Sequence, residues 1–295
     1  MSTYAEIHPN WEREPAYITE GFSIEMTAKD IEGLRAAAPQ LPRDTPVAVT
    51  FLPGETLEAR LAAAKEVRAL GFEPMPHFSA RRIKSEAELQ TMVKRMAEEA
   101  GVRRCFAIAG DPPHPEGPYA DTSMLIETGF FEAHGIKAIG VAGHPQGHLN
   151  MTEEECFAVL ERKCSLILEH GMKPLIVTQF GFDPDAFMQW LVVLRQRGID
   201  APVRIGVPGP TSIKGLLKFA ARCGVEASAS VMSKYGISMA NLIGSAGPDK
   251  MVNAFASGFG SKHGRVRLHF YPFGGLVKTA EWIGQYNRKH YNREH

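Results

Sequence analysis

Seven polar residues each follow a short apolar run, and their types suit acid–base, ligand-binding or metal-binding chemistry. They are Glu25, Thr50, His77, Asp111, His144, His148 and Gln179. Carboxylates and imidazoles can move protons, and the same groups can ligate zinc or iron. If a fold gathers them at one edge, a bound molecule or water must satisfy them, because an unpaired buried polar group costs about 1–3 kcal/mol.

The segment from Arg104 to Asp111 illustrates how such a residue is positioned. Its apolar run lacks polar alternation, which is typical of a strand buried on both faces of a parallel sheet. Gly110 and Asp111 end the run, and two prolines follow. In α/β folds the ligand lies beyond the carboxyl ends of the strands, so this edge is a candidate binding edge. The same Gly-Asp-Pro-Pro sequence is also typical of a simple turn.

Eight strand-like runs alternate with helix-like runs along the chain. The predicted strands are 17–25, 46–51, 72–78, 104–111, 136–142, 174–178, 203–207 and 266–271, and the predicted helices are 28–38, 57–70, 85–100, 123–134, 152–170, 184–197, 212–222, 228–242, 248–259 and 279–287. This alternation predicts an α/β fold, a single-domain (β/α)8 TIM barrel. A doubly wound open sheet is the alternative, which the lack of a G-x-G-x-x-G after any strand disfavours.

Length and composition suit one large globular domain or two small ones. The alternation of strands and helices favours a single barrel domain, predicted over residues 17–295 after an N-terminal extension, 1–16. Lys plus Arg and Asp plus Glu both number 33, which argues against nucleic-acid and membrane-surface partners. The N-terminus lacks a signal-peptide core and no apolar run approaches transmembrane length, so we expect a cytoplasmic protein. The four cysteines, at 105, 156, 164 and 223, have no zinc spacing and are not expected to form disulfides.

The residues alone leave two kinds of ligand open. A metal could be held by Glu25, His77, Asp111, His144 and His148. Pro145 and Gly147, however, argue against a helix that would put the last two imidazoles on one face. A nucleotide-type cofactor could instead bind loop amides and histidines, with Arg162 and Lys163 on its pyrophosphate. These two cations are equally typical of a solvated helix face.

An ordered set of motifs resembles the methylenetetrahydrofolate reductase family. The motifs are Ser23-x-Glu25, Val49-Thr50, Pro76-His77, Gly110-Asp111, Tyr119-Ala120, Pro145-x-x-His148, Arg162-Lys163, Thr178-Gln179-Phe180-x-Phe182-Asp183, Pro208-Gly209 and His269-Phe270-Tyr271. The Thr-Gln-Phe-x-Phe-Asp motif is the most specific of them. The resemblance implies a barrel that binds FAD. It also implies a hydride passed from NADH or NADPH to the flavin, and from there to 5,10-methylenetetrahydrofolate, giving 5-methyltetrahydrofolate.

The resemblance also implies a role for each matching residue. Glu25 matches the general acid that protonates the departing folate nitrogen, and Asp111 matches a catalytic carboxylate beside flavin and folate. Gln179 and Phe219 match substrate contacts, although Phe219 lies on an amphipathic helix face and could belong to the core. FAD binding is implied for Thr50, His77, Ala109, Gly110, Asp111, Tyr119, Ala120, His144, His148, Arg162 and Lys163. No metal is implied, and a homo-oligomer is expected.

Several positions depart from the family's usual pattern. Met26-Thr-Ala-Lys29 replaces Phe-Phe-Pro-Pro, Ala109 replaces an arginine, His144 a tyrosine and Gly215 a glutamine, and Pro272-Phe-Gly-Gly275 replaces Thr-Leu-Asn-Arg. These changes leave the nicotinamide and folate contacts open, as well as the choice between NADH and NADPH. No regulatory domain is expected after the barrel. A metal-dependent barrel hydrolase or lyase and a non-catalytic flavin- or folate-binding protein remain alternatives.

Overall fold

The computed structural model describes residue 11 and residues 13–225, 227–228, 232–233 and 245–292. Most of the helix predicted over 228–242, and most of the N-terminal extension predicted over 1–16, lie outside the described residues.

Eight parallel strands close into a barrel, which confirms the predicted fold class. The barrel strands are β1 (Ser23–Met26), β2 (Pro46–Val49), β3 (Glu73–Ser79), β4 (Arg104–Ile108), β5 (Ala138–Gly143), β6 (Lys173–Phe180), β7 (Val203–Pro208) and β10 (Val266–Tyr271). Their order around the barrel is β1-β10-β7-β6-β5-β4-β3-β2. β8 (Thr211–Ser212) and β9 (Ser245–Ala246) form a separate antiparallel pair, which the sequence analysis did not predict.

Helices surround the strands. They are α1 (Ile31–Ala37), α2 (Leu57–Ala69), α3 (Glu86–Ala100), α4 (Thr122–Ile126), α5 (Phe130–Ala133), α6 (Glu153–Glu169), α7 (Pro184–Gln196), α8 (Ile213–Cys223), α9 (Asp249–Gly258) and α10 (Leu276–Tyr291). The described residues contain no helix long and apolar enough to cross a membrane.

Most predicted helix ends agree with the structure because their capping signals are local. Thr152 caps α6 through its side chain, and the Glu155 carboxylate accepts the Thr152 N–H at 2.7 Å, which completes a capping box. The helix predicted over 123–134 is instead broken, because Gly129 adopts a φ of +75° between α4 and α5. The first strand is shorter than predicted, since residues 17–21 form a turn before β1.

The barrel interior is layered, and the layering decides which side chains reach a ligand. Ala48, Met75, Phe106 and Val177 form an apolar layer inside the barrel. Because side chains alternate across a strand, the residues two positions further along point the same way. Those residues include Thr50 and His77. In β6 the register against β7 shifts between Val177 and Phe180, so this alternation does not by itself place Gln179. We call this end of the barrel, at the carboxyl ends of the strands, the mouth.

The opposite end, the floor, is closed by a residue that precedes the first strand. Trp11 is 2% exposed and packs with Ala138 and Leu175. The guanidinium groups of Arg204 and Arg267 lie 5.0 and 5.3 Å from its ring centroid, within cation–π range. The predicted N-terminal extension therefore contributes at least one residue to the packing of the barrel.

Candidate active site at the barrel mouth

Glu25 lies at the mouth between two buried imidazoles. Its Oε2 atom is 3.6 Å from His77 Nε2 and 3.8 Å from His269 Nε2, and the carboxylate side chain is 19% exposed. The three side chains come from β1, β3 and β10, and β1 is the strand next to β10 in the barrel order. A carboxyl group in this position can reach a bound molecule on its exposed side. The buried Nε2 atoms of His77 and His269 face it from the protein interior.

Both imidazoles are uncharged at neutral pH. Burial lowers the pKa of His77 to about 4, against a smaller opposite effect from Glu25, and burial also lowers the pKa of His269. His269 Nδ1 lies 2.8 Å from the Ser23 hydroxyl. When that hydroxyl donates, the proton of neutral His269 is on Nε2 and faces Glu25. Neither ring therefore places a positive charge beside Glu25.

A buried arginine, Arg60, ties the ends of two strands together at this point. Its guanidinium donates to the backbone carbonyl of His77 and, at 3.4 Å, to that of Thr50, and it lies 3.9 Å from the centroid of the Phe51 ring. Arg60 is on α2 and is fully buried. It therefore holds His77 and Thr50 in place from outside the barrel.

Three buried polar atoms at the mouth have no hydrogen-bond partner among the described residues. They are Thr50 Oγ1, His77 Nε2 and Ser79 Oγ. Next to them, Gly110 adopts a φ of +94°, and a Cβ at this position would collide with Ser79 Oγ. Such orphaned groups, beside a backbone that carries no side chain, form a cradle for a ligand with hydrogen-bonding atoms.

The carboxylate of Asp111 follows β4 and is largely exposed. It is paired with the guanidinium of Arg82. The neighbouring Arg81 donates to the carbonyl of Ala120 at 2.9 Å, and its N–H donates to the carbonyl of Ala109 at 2.9 Å. The cation beside Asp111 is therefore the Arg82 guanidinium. Position 109, where the usual pattern has an arginine, is an alanine and supplies no cation.

A cavity of about 160 Å³ opens on the other side of the mouth. Its lining includes His144, His148, Gln179 and Cys223. The two histidine rings meet edge to face, with centroids 4.9 Å apart. The pKa of His144 is lowered to about 4, mainly by burial and to a smaller extent by the nearby positive charges of His148 and Lys163. The loop after β5 therefore presents a neutral imidazole to this cavity, beside the amide of Gln179.

The remaining predicted site residues occupy different surroundings. Tyr119 is buried, and burial raises the pKa of its phenol. Lys163 is half-buried on α6, and burial lowers the pKa of its amine. Arg162, the preceding residue on the helix, has a side chain that is 65% exposed and pairs with Glu127 at 3.1 Å. Arg162 thus lies at the surface, whereas Lys163 is directed inward.

Phe219, on α8, belongs to a cluster of aromatic rings at the mouth. It stacks on Phe273, with ring centroids 4.1 Å apart and an interplanar angle of 13°. Phe273 also lies 5.8 Å from Tyr271 and 4.8 Å from Phe180. The phenol of Tyr271 donates to the carbonyl of Thr178 at 3.0 Å, and its pKa is raised well above normal by burial.

Sequence reasoning assigned no role to Arg60, Ser79, His269, Tyr271 or Phe273. His269 and Tyr271 belong to the motif set above, and their spacing could have indicated a role, because they are two residues apart on a strand whose carboxyl end must reach the mouth. Arg60 gave no such signal, because an arginine in the first turn of a helix is ordinarily solvated.

No group of three or more His, Cys, Asp or Glu side chains in the described part of the chain has the arrangement of a metal site. The four cysteines are free thiols. The metal-binding alternative therefore has no geometric support among these residues.

A family model described as methylenetetrahydrofolate reductase matches residues 27–272, most of the chain. The chain belongs to the methylenetetrahydrofolate reductase family. Its similarity to methylenetetrahydrofolate reductase (NADH) 1 of Arabidopsis thaliana is 27% identity, over 58% of this chain and 31% of that protein. The protein of the same name from Zea mays is 31% identical over 42% of this chain and 23% of its own length. These alignments span about a third or less of the reductases they match.

A solved structure supports the barrel architecture independently. The dihydropteroate synthase of Thermus thermophilus, in complex with 6HMPPP, superposes with a TM-score of 0.50 at 16% identity, over 90% of this chain and 91% of that one. At this identity the likeness concerns the fold alone. Methylenetetrahydrofolate reductase family membership and the (β/α)8 barrel thus rest on separate comparisons.

Proposed function

We propose that the protein reduces 5,10-methylenetetrahydrofolate to 5-methyltetrahydrofolate, with NADH as the hydride donor and FAD as the bound cofactor. The observation that carries the proposal is Glu25, held at the mouth of a barrel of this family between two uncharged imidazoles. The choice of NADH as the hydride donor rests on the plant relatives, whose names specify NADH. Turnover in two half-reactions, first with nicotinamide and then with folate, is part of the proposal.

Glu25 acts as the proton donor to the folate nitrogen that departs when the five-membered ring opens. The proton must be delivered within hydrogen-bond reach in a site that excludes bulk water. The neutral rings of His77 and His269 flank the carboxyl group, with their Nε2 atoms 3.6 and 3.8 Å from its Oε2. Gln179, in the adjacent cavity, offers an amide to a polar heterocycle.

The residues at the mouth fit FAD by the chemistry of their donor set. When bound, FAD supplies the two-electron chemistry that no side chain offers. The orphaned atoms of Thr50, His77 and Ser79 would hydrogen-bond its ring system, and Gly110 would let the backbone approach it. Lys163 is the inward-facing cation for a phosphate group. Asp111 and its partner Arg82 form the charged rim of this site.

The test is the visible spectrum of the purified protein and its response to substrates. We expect a yellow protein, or one that takes up FAD, whose flavin absorbance is bleached by NADH and restored by 5,10-methylenetetrahydrofolate. A protein that neither retains nor takes up FAD would rule out the proposal. Flavin that binds but is never bleached by NADH or NADPH would instead favour a non-catalytic flavin-binding protein.

Gly110→Ala should impair FAD binding specifically. The new methyl group would collide with Ser79 Oγ, one of the unpartnered atoms, and would strain a backbone at φ +94°. The matched control is Gly54→Ala, which has a φ of +77° and open space around it. Backbone strain alone should cost both variants about 1 kcal/mol of stability. We expect Gly110→Ala to bind FAD much more weakly, while Gly54→Ala binds it like the wild type. Equal FAD affinities in the two variants would contradict the cradle.

A further inference from the structure

The side chain of Gln146 joins the loop after β5 to the loop after β6. Its Oε1 atom accepts the backbone N–H of Phe182 at 2.7 Å and that of Asp183 at 3.4 Å. Phe182 and Asp183 lie in the same segment as Gln179. Gln146 and Gln179 both line the cavity at the mouth. One carboxamide thus connects two loops that form the wall of the same cavity.

Gly181 provides the space for this carboxamide. A Cβ at Gly181 would collide with Gln146 Oε1 and would lie 2.7 Å from the ring of Phe187. No larger residue therefore fits at position 181 unless its neighbours move. Gln146 and Gly181 occupy unspecified positions of the Pro-x-x-His and Thr-Gln-Phe-x-Phe-Asp motifs. The close fit between them is thus a feature that the motif patterns do not describe.

The backbone held by Gln146 also orients the side chain of Gln179. The N–H of Phe180 donates to Gln179 Oε1 at 3.0 Å. Because this donor fixes the carboxamide oxygen, the amino group of Gln179 is the part of the side chain left to donate to a ligand. The orientation of this amide therefore depends on the backbone between Phe180 and Phe182, and Gln146 holds the far end of that backbone.

Contacts inside the barrel hold the other end of the segment. Thr178 Oγ1 accepts the N–H of Gly206 at 2.8 Å, and the Thr178 carbonyl accepts the phenol of Tyr271 at 3.0 Å. The register of β6 against β7 shifts around Gln179. Regular pairing between strands therefore does not fix Gln179, and Gln146 supplies support beyond the end of the strand.

The loop after β5 keeps its own hydrogen bonds. The N–H of Gly147 donates to the carbonyl of His144 at 3.1 Å, and the N–H of Asn150 donates to His148 Nδ1 at 3.2 Å. These bonds do not involve the carboxamide of Gln146. Loss of the carboxamide should therefore disturb the loop after β6 more than it disturbs the two histidines.

We propose that Gln146 is a positioning residue for the folate half-reaction, because its Oε1 atom holds the loop after β6 in the form that presents the amide of Gln179 to the folate. The inference rests on the proposed function, in which Gln179 contacts the substrate. When the acceptor is lost, the N–H of Phe182 loses its partner and the amide of Gln179 is no longer held in place. Folate binding is then weakened, whereas FAD binding is not.

The experiment compares two ligands in variants of Gln146. Gln146→Met removes the acceptor at nearly unchanged side-chain length. It should raise the Kd of 5-methyltetrahydrofolate for the FAD-loaded protein, measured by calorimetry, by about 3- to 10-fold, the range of one hydrogen bond. The Kd of FAD for the flavin-free protein, measured by flavin fluorescence, should stay unchanged. Gln146→Glu keeps an acceptor oxygen and should bind folate within about 2-fold of the wild type.

Gly181→Ala tests the same contact from the other side. The new methyl group forces the Gln146 oxygen out of its place, so folate binding should weaken as it does in Gln146→Met. The double variant should bind folate no more weakly than the weaker single variant, because both changes remove one contact. The matched control is Gln90→Met, which changes an exposed glutamine on α3 and should leave both Kd values at those of the wild type.

Three results would overturn the positioning role. An unchanged folate Kd in Gln146→Met would show that Gln179 does not need the contact. Equal weakening by Gln146→Glu and Gln146→Met would show that the acceptor oxygen is not what matters, and an equal loss of FAD affinity would indicate general damage to the mouth. If Gln146→Met does not fold, the folate Kd of Gly181→Ala decides. A wild type that still reduces methylenetetrahydrofolate keeps the proposed function intact in each case, whereas a wild type that binds FAD but no folate refutes both proposals.

Discussion

Glu25→Gln is expected to slow the reduction of 5,10-methylenetetrahydrofolate by about 10²- to 10⁴-fold, the usual contribution of a general acid. The reduction of bound flavin by NADH should keep nearly its wild-type rate. The amide matches the carboxyl group in size and can still face His77 and His269, but it has no proton to deliver to the departing nitrogen. Because hydride transfer from NADH needs no such proton, the variant separates the two half-reactions.

Each half-reaction can be followed by stopped-flow absorbance of the flavin. The control is Glu58→Gln, which changes a carboxylate on the surface of α2 that pairs with Arg95 and should leave both rates unchanged. Equal slowing of the two half-reactions by Glu25→Gln would contradict the acid role and would indicate damage to the flavin site instead. A variant that reduces folate normally would exclude Glu25 as the proton donor.

The second large effect is expected on stability under acid conditions. The pKa of His77 is lowered from 6.5 to about 4 in the folded protein by burial. Between these two values the unfolded chain binds a proton that the folded chain does not, so the free energy of unfolding falls as the pH falls. The stability contributed by the neutral ring is complete above pH 6.5 and is lost progressively toward pH 4. The loss amounts to about 2–3 kcal/mol for this one residue.

His77→Asn should therefore reduce the dependence of stability on pH, whatever its effect on stability at neutral pH. The measurement is urea unfolding of the wild type and the variant at several pH values between about 7 and about 4. His114→Asn is the control, since His114 is exposed in the loop after β4 and the variant should follow the wild-type curve. If the free energy of unfolding depended on pH with the same slope in His77→Asn and in the wild type, His77 would not be the buried neutral group that causes the loss of stability in acid.

Local signals in the sequence account for the parts of the fold that were predicted correctly. The apolar run after Arg104 becomes a strand buried on both sides, and Thr152 with Glu155 starts a helix because the capping groups are three residues apart. The placement of Glu25 and His77 at one end followed from the closed barrel, since parallel strands present their carboxyl ends together. The break at Gly129 was missed because the surrounding residues keep a helical pattern.

Contacts between distant parts of the chain were not predictable from local pattern. His269 reaches Glu25 and Ser23 from the last strand, almost the whole chain away, and the sequence alone does not show which inward residues of β1 and β10 meet. The role of Arg60 was equally unpredictable. Its guanidinium reaches the carbonyls of Thr50 and His77 only because α2 packs against β2 and β3. The pairing of Asp111 with Arg82 likewise depends on two neighbouring loops. Single-sequence reasoning thus predicted which strand-end residues share one rim of the barrel, but not which side chains contact one another there.

The Trp11 indole and the two guanidinium groups around it have a practical consequence for anyone who shortens this chain. All the residues proposed to act on folate lie at or after Glu25, so a version beginning at the first strand would retain every one of them. Such a version would nevertheless lack the ring that covers Arg204 and Arg267. Water entering the barrel at its floor would then reach the guanidinium groups of these two arginines. We therefore expect a version that begins at β1 to be less stable than the longer chain, although it keeps every residue proposed to act on folate.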